Sequence, residues 1–226
     1  METWHHLTPE ESLALIDADY GDPYVRMYAT KAIAKMNDSE LAHYMMQIIQ
    51  ALKYEVHHKS SLSEMILERA LKNPRIVGQS FYWQLRTSMY DKTTFERLFL
   101  QCERFLMLCG KFKNDLYNQH FVNQRLVQLN IDLTTEYEAQ KTHPDVEEKV
   151  SEILKDRLRK LNLDIKKEGL QLYLPLFPKY RFKSFLVNDC LVFKSKKRPI
   201  LLKLALDEGE LQPANQEEKE PASPVL

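Results

Sequence analysis

Apolar residues recur at steps of three and four along most of this chain. Val25, Tyr28, Ala29, Ala32, Ile33 and Met36 follow that spacing, as do Leu41, Tyr44, Met45, Ile48, Ile49 and Leu52, and again Phe95, Leu98, Phe99, Cys102, Leu106 and Cys109. Such a period puts each set on one face of a helix, and that face needs a neighbour to cover it. The starts are marked by a polar residue with a glutamate three positions on, at Thr8 with Glu11, Asn37 with Glu40, Ser61 with Glu64 and Thr93 with Glu96; the pair can satisfy two orphan amides reciprocally. Asp22-Pro23 and Asn73-Pro74 predict two more starts, with proline where its missing N–H is harmless. Gly110 is placed to end a helix in the left-handed conformation. Amphipathic helices joined by short connections predict an α-α superhelix of stacked antiparallel pairs.

The pattern changes in the second half. A long polar helix is predicted from Lys111 to about Thr142, carrying Leu116, Val122, Leu126, Leu129 and Leu133; His143-Pro144 breaks it, and a further helix follows over Asp145 to Leu163. The prolines of "YLPLFP" forbid helix. Phe185 to Phe193 and Ile200 to Leu206 are rich in branched and aromatic residues and predict a β-hairpin around the basic turn Ser195-Lys196-Lys197-Arg198. The closing stretch "DEGELQPANQEEKEPASPVL" is acidic and lacks aromatics, the composition of a disordered tail. The expected fold class is therefore mostly α, a helical superhelix followed by a short hairpin. The expected boundaries are a helical domain over 1–110, a helical connector over 111–168, the hairpin region over 169–206 and the tail over 207–226.

Composition narrows the chemistry. Lysine plus arginine balances aspartate plus glutamate at 32 each, so no global field recruits nucleic acid, and the helical half lacks the extended basic face with exposed aromatics that a nucleic-acid surface needs. The five glycines are too scattered for a Walker loop, a dinucleotide fingerprint or a glycine-rich kinase loop. Three cysteines, Cys102, Cys109 and Cys190, form no zinc spacing. On one helix Cys102 and Cys109 stand about 10 Å apart, too far for a disulfide, which fits a reducing, cytoplasmic setting. No apolar run approaches the ~18 residues of a membrane span. His5-His6 and His57-His58 lack a third ligand at helical spacing, so no metal is expected. The carboxylates sit at caps or alternate with lysines, so no catalytic pair is expected. Phe81, Tyr82, Trp83, Leu85 and Met89 form the packing face of a helix, not a cofactor pocket.

The basic turn leaves two readings open. Ser195, Lys197 and Arg198 could hold a phosphate through backbone amides, a hydroxyl and cationic side chains; the same residues could be a solvated tip protected by lysines against association.

"LALIDADYGDPYVRMYATKAIAKMNDSELAHYMMQIIQALKYE", Leu13 to Glu55, with "LERALKNPRIVGQSFYWQLRTSM", Leu67 to Met89, closely resembles the accessory helical domain of phosphoinositide 3-kinases of the class I or class II type. The elements that carry the likeness are D-P-x-V-R, L-x-x-Y-x-x-Q-x-x-Q-A-L-K-Y-E and the aromatic-Trp-x-L stretch. Further on, "LVNDCLVFKSKKRPILLKL" resembles the first strands of that family's kinase domain with its S-x-K-R-P loop. The resemblance implies that this loop covers nucleotide phosphates and that Ser195 and Lys197 are the positions onto which ATP contacts carry over.

The family's later motifs do not follow Leu206: the ATP-anchoring lysine strand, the Asp-Arg-His catalytic loop, the Asp-Phe-Gly metal loop and the activation loop. The expectation is a truncated homologue of the catalytic subunit that is itself inactive, with no catalytic or metal-ligating residue and no cofactor of its own, ATP and magnesium belonging to the full-length family. The implied partners are proteins, either a regulatory subunit or the remaining kinase domains; a phosphoinositide membrane would be met only through the missing lobe. Two other readings stay open, a stand-alone helical interaction module and one piece of a split kinase. Truncation further predicts that Leu13, Leu15 and Ile16 are left exposed and that the chain self-associates or needs a partner, with the hairpin less protected than the helices of residues 22–109.

Overall fold

A computed structural model describes residues 7–175, 178, 180–195 and 197–207. His5-His6 and the acidic tail beyond Asp207 lie outside the described residues. Contacts divide the chain into two units, one of residues 1–127 and 172–178, the other of 128–171 and 179–226. The described residues are mostly α-helical with a short antiparallel hairpin, as the periodicity predicts.

The first unit opens with α1 (Pro9–Ser12), which runs on as a 3-10 turn over Leu13–Ile16, and continues with α2 (Pro23–Ile33), α3 (Asp38–His43), α4 (Met45–Leu52), α5 (Ser61–Lys72), α6 (Gln79–Ser88) and α7 (Phe95–Leu108). The predicted capping boxes form at Thr8 with Glu11 and at Asn37 with Glu40, and Asp22 and Asn73 cap their proline-led starts. Two starts differ. At α5 the cap is Ser60, whose hydroxyl accepts from the Ser63 amide, because the shorter Ser63 side chain reaches back where Glu64 was expected to. Glu64 instead turns outward to Arg104 at 2.8 Å. At α7 the first residue outside the helix is Thr94, with no side-chain cap, since Asp91 has taken the Thr93 hydroxyl at 2.7 Å.

The apolar run from Leu41 to Leu52 was expected to be one helix and is two, parted at Tyr44 (φ −87°, ψ 6°). Its stripe still faces inward: Leu41, Met45, Ile48, Ile49 and Leu52 are all at most 1% exposed. They meet Phe81, Leu85, Phe105 and Ile66 in one core. Packing runs α2 on α5, α4 on α6, and α7 on both α5 and α6. Where α5 leads through a π-helical turn, Pro74–Gly78, into α6, Gly78 permits the approach: a Cβ there would sit 2.8 Å from both the Ala70 carbonyl and the Phe105 ring. Gly110 ends α7's segment at φ +59°, as predicted. Ile16 is buried in this core and Leu13 and Leu15 pack partly against it, so the expected exposure of all three is corrected; the 3-10 turn folds their side chains back onto α2 and α4.

Three polar fixings tie the helices. The Arg26 guanidinium, 4% exposed, pairs with Glu55 at 2.6 Å and donates to the carbonyls of Asp17, Tyr20 and Ala51 at 3.0–3.2 Å. Arg69 binds Asp38 at 2.6 Å and the Ala34 and Met36 carbonyls at 2.9 and 2.8 Å, joining α5 to the start of α3. Gln79 donates to both the Leu174 and Pro175 carbonyls at 2.9 Å, accepts from Gln119 at 3.0 Å, and Gln119 accepts from the Trp83 indole at 2.9 Å. That chain, with Arg75 over the Tyr173 ring at 4.1 Å, holds the short strand β1 (Leu172–Tyr173) against the helical unit.

Helix α8 (Phe112–Ala139) ends just before the predicted break at His143-Pro144, and α9 (Val146–Lys167) runs a turn beyond the predicted Leu163 to stop at Gly169, φ +59°. In the second unit the hairpin is longer and more broken than expected. It starts at β2 (Arg181–Phe185), is interrupted by a 3-10 turn at Val187–Asp189, and continues as β3 (Leu191–Val192), β4 (Ile200–Leu201) and β5 (Leu204–Leu206). β2 pairs antiparallel with β5 and β3 with β4. Cys190 lies buried at the break, where its sulfur accepts the Lys203 amide at 3.4 Å. Asn162 of α9 holds the end of β2, its side chain exchanging bonds of 2.8 and 2.9 Å with the Phe185 backbone.

Because Ile48 is fully buried beside Met45 and Leu52, Ile48→Ala is expected to destabilise the chain by about 2–4 kcal/mol. Denaturant melts that move by less than about 0.5 kcal/mol, the size of an ordinary surface change, would contradict that packing.

Candidate phosphate-loop site

The loop between β3 and β4 is closed by its own backbone. The Phe193 amide donates to the Pro199 carbonyl at 2.9 Å, the Ser195 amide to the Phe193 carbonyl at 2.9 Å, and the Arg198 amide to the Ser195 carbonyl at 3.0 Å. These bonds bring Lys194, Ser195 and Lys197 to the tip with their side chains exposed. They also commit two of the amides that the sequence offers to a phosphate; the described side-chain donors at the tip are the Ser195 hydroxyl and the Lys194 and Lys197 ammonium groups.

Arg198 behaves differently from its neighbours. It is 6% exposed. Its guanidinium meets the Glu147 carboxylate through two bonds of 3.1 and 2.6 Å and stacks 3.6 Å from the centre of the Tyr137 ring. Tyr137 comes from α8 and Glu147 from the first turn of α9, where a carboxylate also suits the helix dipole. The fork geometry of guanidinium against carboxylate fixes direction as well as distance. The backbone answers to it: Arg198 takes φ +45°, a left-handed conformation that costs a side-chain-bearing residue roughly 1–2 kcal/mol. Pro199 disfavours the right-handed alternative at the residue before it, and the pairing of buried Arg198 with half-buried Glu147 holds what remains. Of the two readings left open for the turn, the one in which Arg198 joins Ser195 and Lys197 in holding a phosphate is not favoured by this geometry, because the guanidinium is already paired with Glu147.

Electrostatics follow the same geometry. The hydrogen bonds from Arg198 hold the Glu147 carboxyl below its usual range, with the charge of Arg198 and then of Lys194 adding to the effect against a smaller opposing cost of burial. The hydrogen bonds from Glu147 in turn hold the Arg198 guanidinium above its ordinary value. Elsewhere, burial pushes the Cys102 thiol up to about 11 and also raises Cys109. Both are free and buried, as is Cys190, and the raised Cys102 and Cys109 thiols are not poised as nucleophiles. Among the described residues no group of three or more His, Cys, Asp or Glu is placed to hold a metal ion, and no helix is long and apolar enough to cross a membrane. Phe81, Tyr82, Leu85 and Met89 are buried in the helical core, as their spacing predicts.

The two stretches with the most distinctive sequence thus serve different ends. Arg26 of D-P-x-V-R and Glu55 of L-K-Y-E, 29 positions apart, are each other's buried partners, while the S-x-K-R-P stretch presents a serine and a lysine on a clamped loop. Residues 1–118 match the model of the phosphoinositide 3-kinase family accessory domain (PIK domain). The chain belongs to this family. It is 33% identical over 202 residues to phosphatidylinositol 3-kinase 2 of Dictyostelium discoideum, a match covering 89% of this chain and 10% of that protein. It is 30% identical over 206 residues to phosphatidylinositol 3-kinase 1 of the same organism (89% and 12%). It is 28% identical over 203 residues to the human phosphatidylinositol 4-phosphate 3-kinase C2 domain-containing subunit beta (89% and 12%). The PIK-domain chain spans about a tenth of the length of these relatives.

Nothing in the sequence pattern alone singled out Glu147 or Tyr137 as partners of the loop. The available signal was weak: an acidic first turn on α9 and one aromatic near the end of α8.

The carboxylate of Glu147 sets the pH response of the loop. Its folded value lies below the ordinary 4.5, so the stabilisation it gives is fully present above that value and is lost only as pH falls through the lower, folded one. Exchange protection of the Ser195 and Arg198 amides is expected to hold from neutrality down to about pH 4.5 and to fall below it. Glu147→Gln is expected to lower protection at neutral pH and to remove the acid step. An acid step that persists in Glu147→Gln would contradict the assignment.

Proposed function

We propose that the chain is the helical platform and first kinase-lobe strands of a phosphoinositide 3-kinase catalytic subunit, with Ser195 and Lys197 positioned to cover nucleotide phosphates, and that on its own it does not transfer a phosphoryl group. The observation that carries this reading is the clamped loop: a buried Arg198 fixes the turn while a hydroxyl and an ammonium stand exposed at its tip. Family membership and the likeness to phosphatidylinositol 3-kinases support it. The residues fit phosphate through side chains more than through an amide nest, since the Ser195 and Arg198 amides are already bonded. ATP with magnesium would supply the phosphoryl group in the full-length family. These 226 residues contain neither an Asp-Phe-Gly nor an Asp-Arg-His sequence, and transfer needs metal ligands and a group that orients the attacking hydroxyl. The partners in this reading are the rest of a kinase lobe or a regulatory subunit, and the setting is the cytoplasm.

A second reading, a helical interaction module without chemistry, is favoured by one feature of α7. Phe95 and Phe99 stack at 5.6 Å on its exposed side, and Met107 is 78% exposed.

Titration of the labelled chain with magnesium-ATP is expected to shift the Ser195 and Lys197 resonances weakly. Ser195→Ala with Lys197→Ala should abolish the shifts without changing the helical signal. No phosphate should reach phosphatidylinositol vesicles above a protein-free control. An unperturbed loop would remove the nucleotide role and favour the interaction module; transfer that survives repurification and vanishes in Lys197→Ala would overturn the claim of inactivity.

A further inference from the structure

Arg159, Leu163 and Lys166 follow one another along α9 at steps of four and three, so charge and apolar surface alternate on one side of the helix. With Leu170, just past the helix end, they line a groove of about 690 Å³ whose other wall is β2. That volume lies within the range of small-molecule sites, about 300–1,000 Å³. Leu163 is 67% exposed there, and buried Ile165 and Phe182 add apolar lining. The charges are uneven. Arg181 and Lys183 of β2 both bind Asp207, at 3.0 and 2.7 Å, and Asp207 is the one carboxylate among the lining residues. The two cations of α9 are left over. Arg159 meets Asp156 of its own helix with both side chains more than half exposed, where solvent screens the attraction. Lys166, in the last turn, has no ion-pair partner among the described residues.

We propose that this groove binds a single-chain anionic amphiphile, a carboxylate or phosphate head on one alkyl chain. The Lys166 ammonium holds the head, Arg159 adds charge from two turns earlier, and the chain lies against Leu163 and Leu170 beside Phe182. Charge and apolar surface select this ligand class together. A purely apolar occupant would take Lys166 out of water with no counter-charge, which is costly. A bare inorganic anion would leave Leu163 and Leu170 uncovered. A peptide would bring backbone amides and carbonyls that need partners, yet the Asn162 side chain is already bonded to the Phe185 backbone. The inference goes beyond the nucleotide role of the Ser195 loop, which belongs to the β3–β4 pair instead.

Titration of the isotope-labelled full chain with decanoate and with decyl phosphate, each below its micelle concentration, tests the proposal. At least one of them is expected to shift the Leu163 and Leu170 methyl signals saturably, and the tighter of the two identifies the head. Inorganic phosphate and decyltrimethylammonium should give no saturable shift. Lys166→Glu is expected to weaken binding about tenfold or more, the loss of one charged hydrogen bond. Lys166→Arg should keep most of it, and Leu163→Gln should weaken it with the helical signal unchanged. Several results would overturn the proposal. With no saturable shift from either anion there is no site; equal binding of decyltrimethylammonium would leave only an apolar patch. Binding of inorganic phosphate alone would mean a simple anion site, and tighter binding of a glutamate-rich peptide a peptide site. Binding indifferent to Lys166→Glu would remove the role of the charge.

Discussion

Burying a guanidinium obliges the structure around it to supply acceptors, because Arg stays charged under all ordinary conditions and an unpaired buried charge is strongly destabilising. Arg198 is an instance met in part: Glu147 takes two of its N–H groups and Tyr137 covers its face, while its Nε is buried with no hydrogen-bond partner among the described residues. Its side chain lies beneath a loop whose other described side chains are exposed, so Glu147 and Tyr137 must be held where they can meet it. Those two residues fix the end of α8 and the first turn of α9 relative to the turn between β3 and β4. The left-handed backbone at Arg198 is the local consequence. The exposure of Ser195 and Lys197 at the tip is the other.

The helical unit obeys the same constraint at a different scale. Arg26 satisfies five bonding directions with one carboxylate and three carbonyls, and in doing so joins the loop after the first 3-10 turn, α2 and the end of α4. The Arg97 guanidinium donates to the Glu55 carbonyl, so α7 is drawn into the same cluster. Arg69 repeats the device between α5 and α3. Apolar burial supplies most of the driving force for this unit, but it is non-directional. The arginines provide the direction, since a fork of donors accepts few arrangements of neighbouring carbonyls. This explains why Arg26 and Glu55, one from each of two motifs, lie in the interior.

How much of this was legible in the sequence depends on range. Local rules worked where both partners lie within one turn: Thr8 with Glu11, Asn37 with Glu40, Asp22 with Pro23, and the left-handed Gly110. They failed where two residues compete for the same role within that turn. Ser60 displaced Ser61 as a cap because Ser63 could close the box, and Asp91 took the hydroxyl of Thr93. Periodicity found the stripe from Leu41 to Leu52 but not its interruption at Tyr44, because a single non-helical residue there leaves the inward face in phase. Contacts across tens of residues carried no pattern at all. Arg198 and Glu147 are 51 positions apart, and a lysine- and arginine-rich turn looks uniformly solvent-facing until a half-buried carboxylate selects one member. For the candidate site, resemblance named Ser195 and Lys197, whereas the element that positions them had to be seen in three dimensions.

The central claim is that the Arg198–Glu147 pair sets the conformation of the loop, and a double-mutant cycle tests it most directly. Arg198→Met, Glu147→Gln and the combined variant would each be read by the exchange free energy of the Phe193 and Arg198 amides, which report closure of the loop. The account predicts a coupling of about 1.5–3 kcal/mol, the range for hydrogen bonds to charged groups, with the double variant little worse than either single one. Effects that add to within about 0.5 kcal/mol, as for independent sites, would show that the loop takes its shape without the pair and would contradict the account.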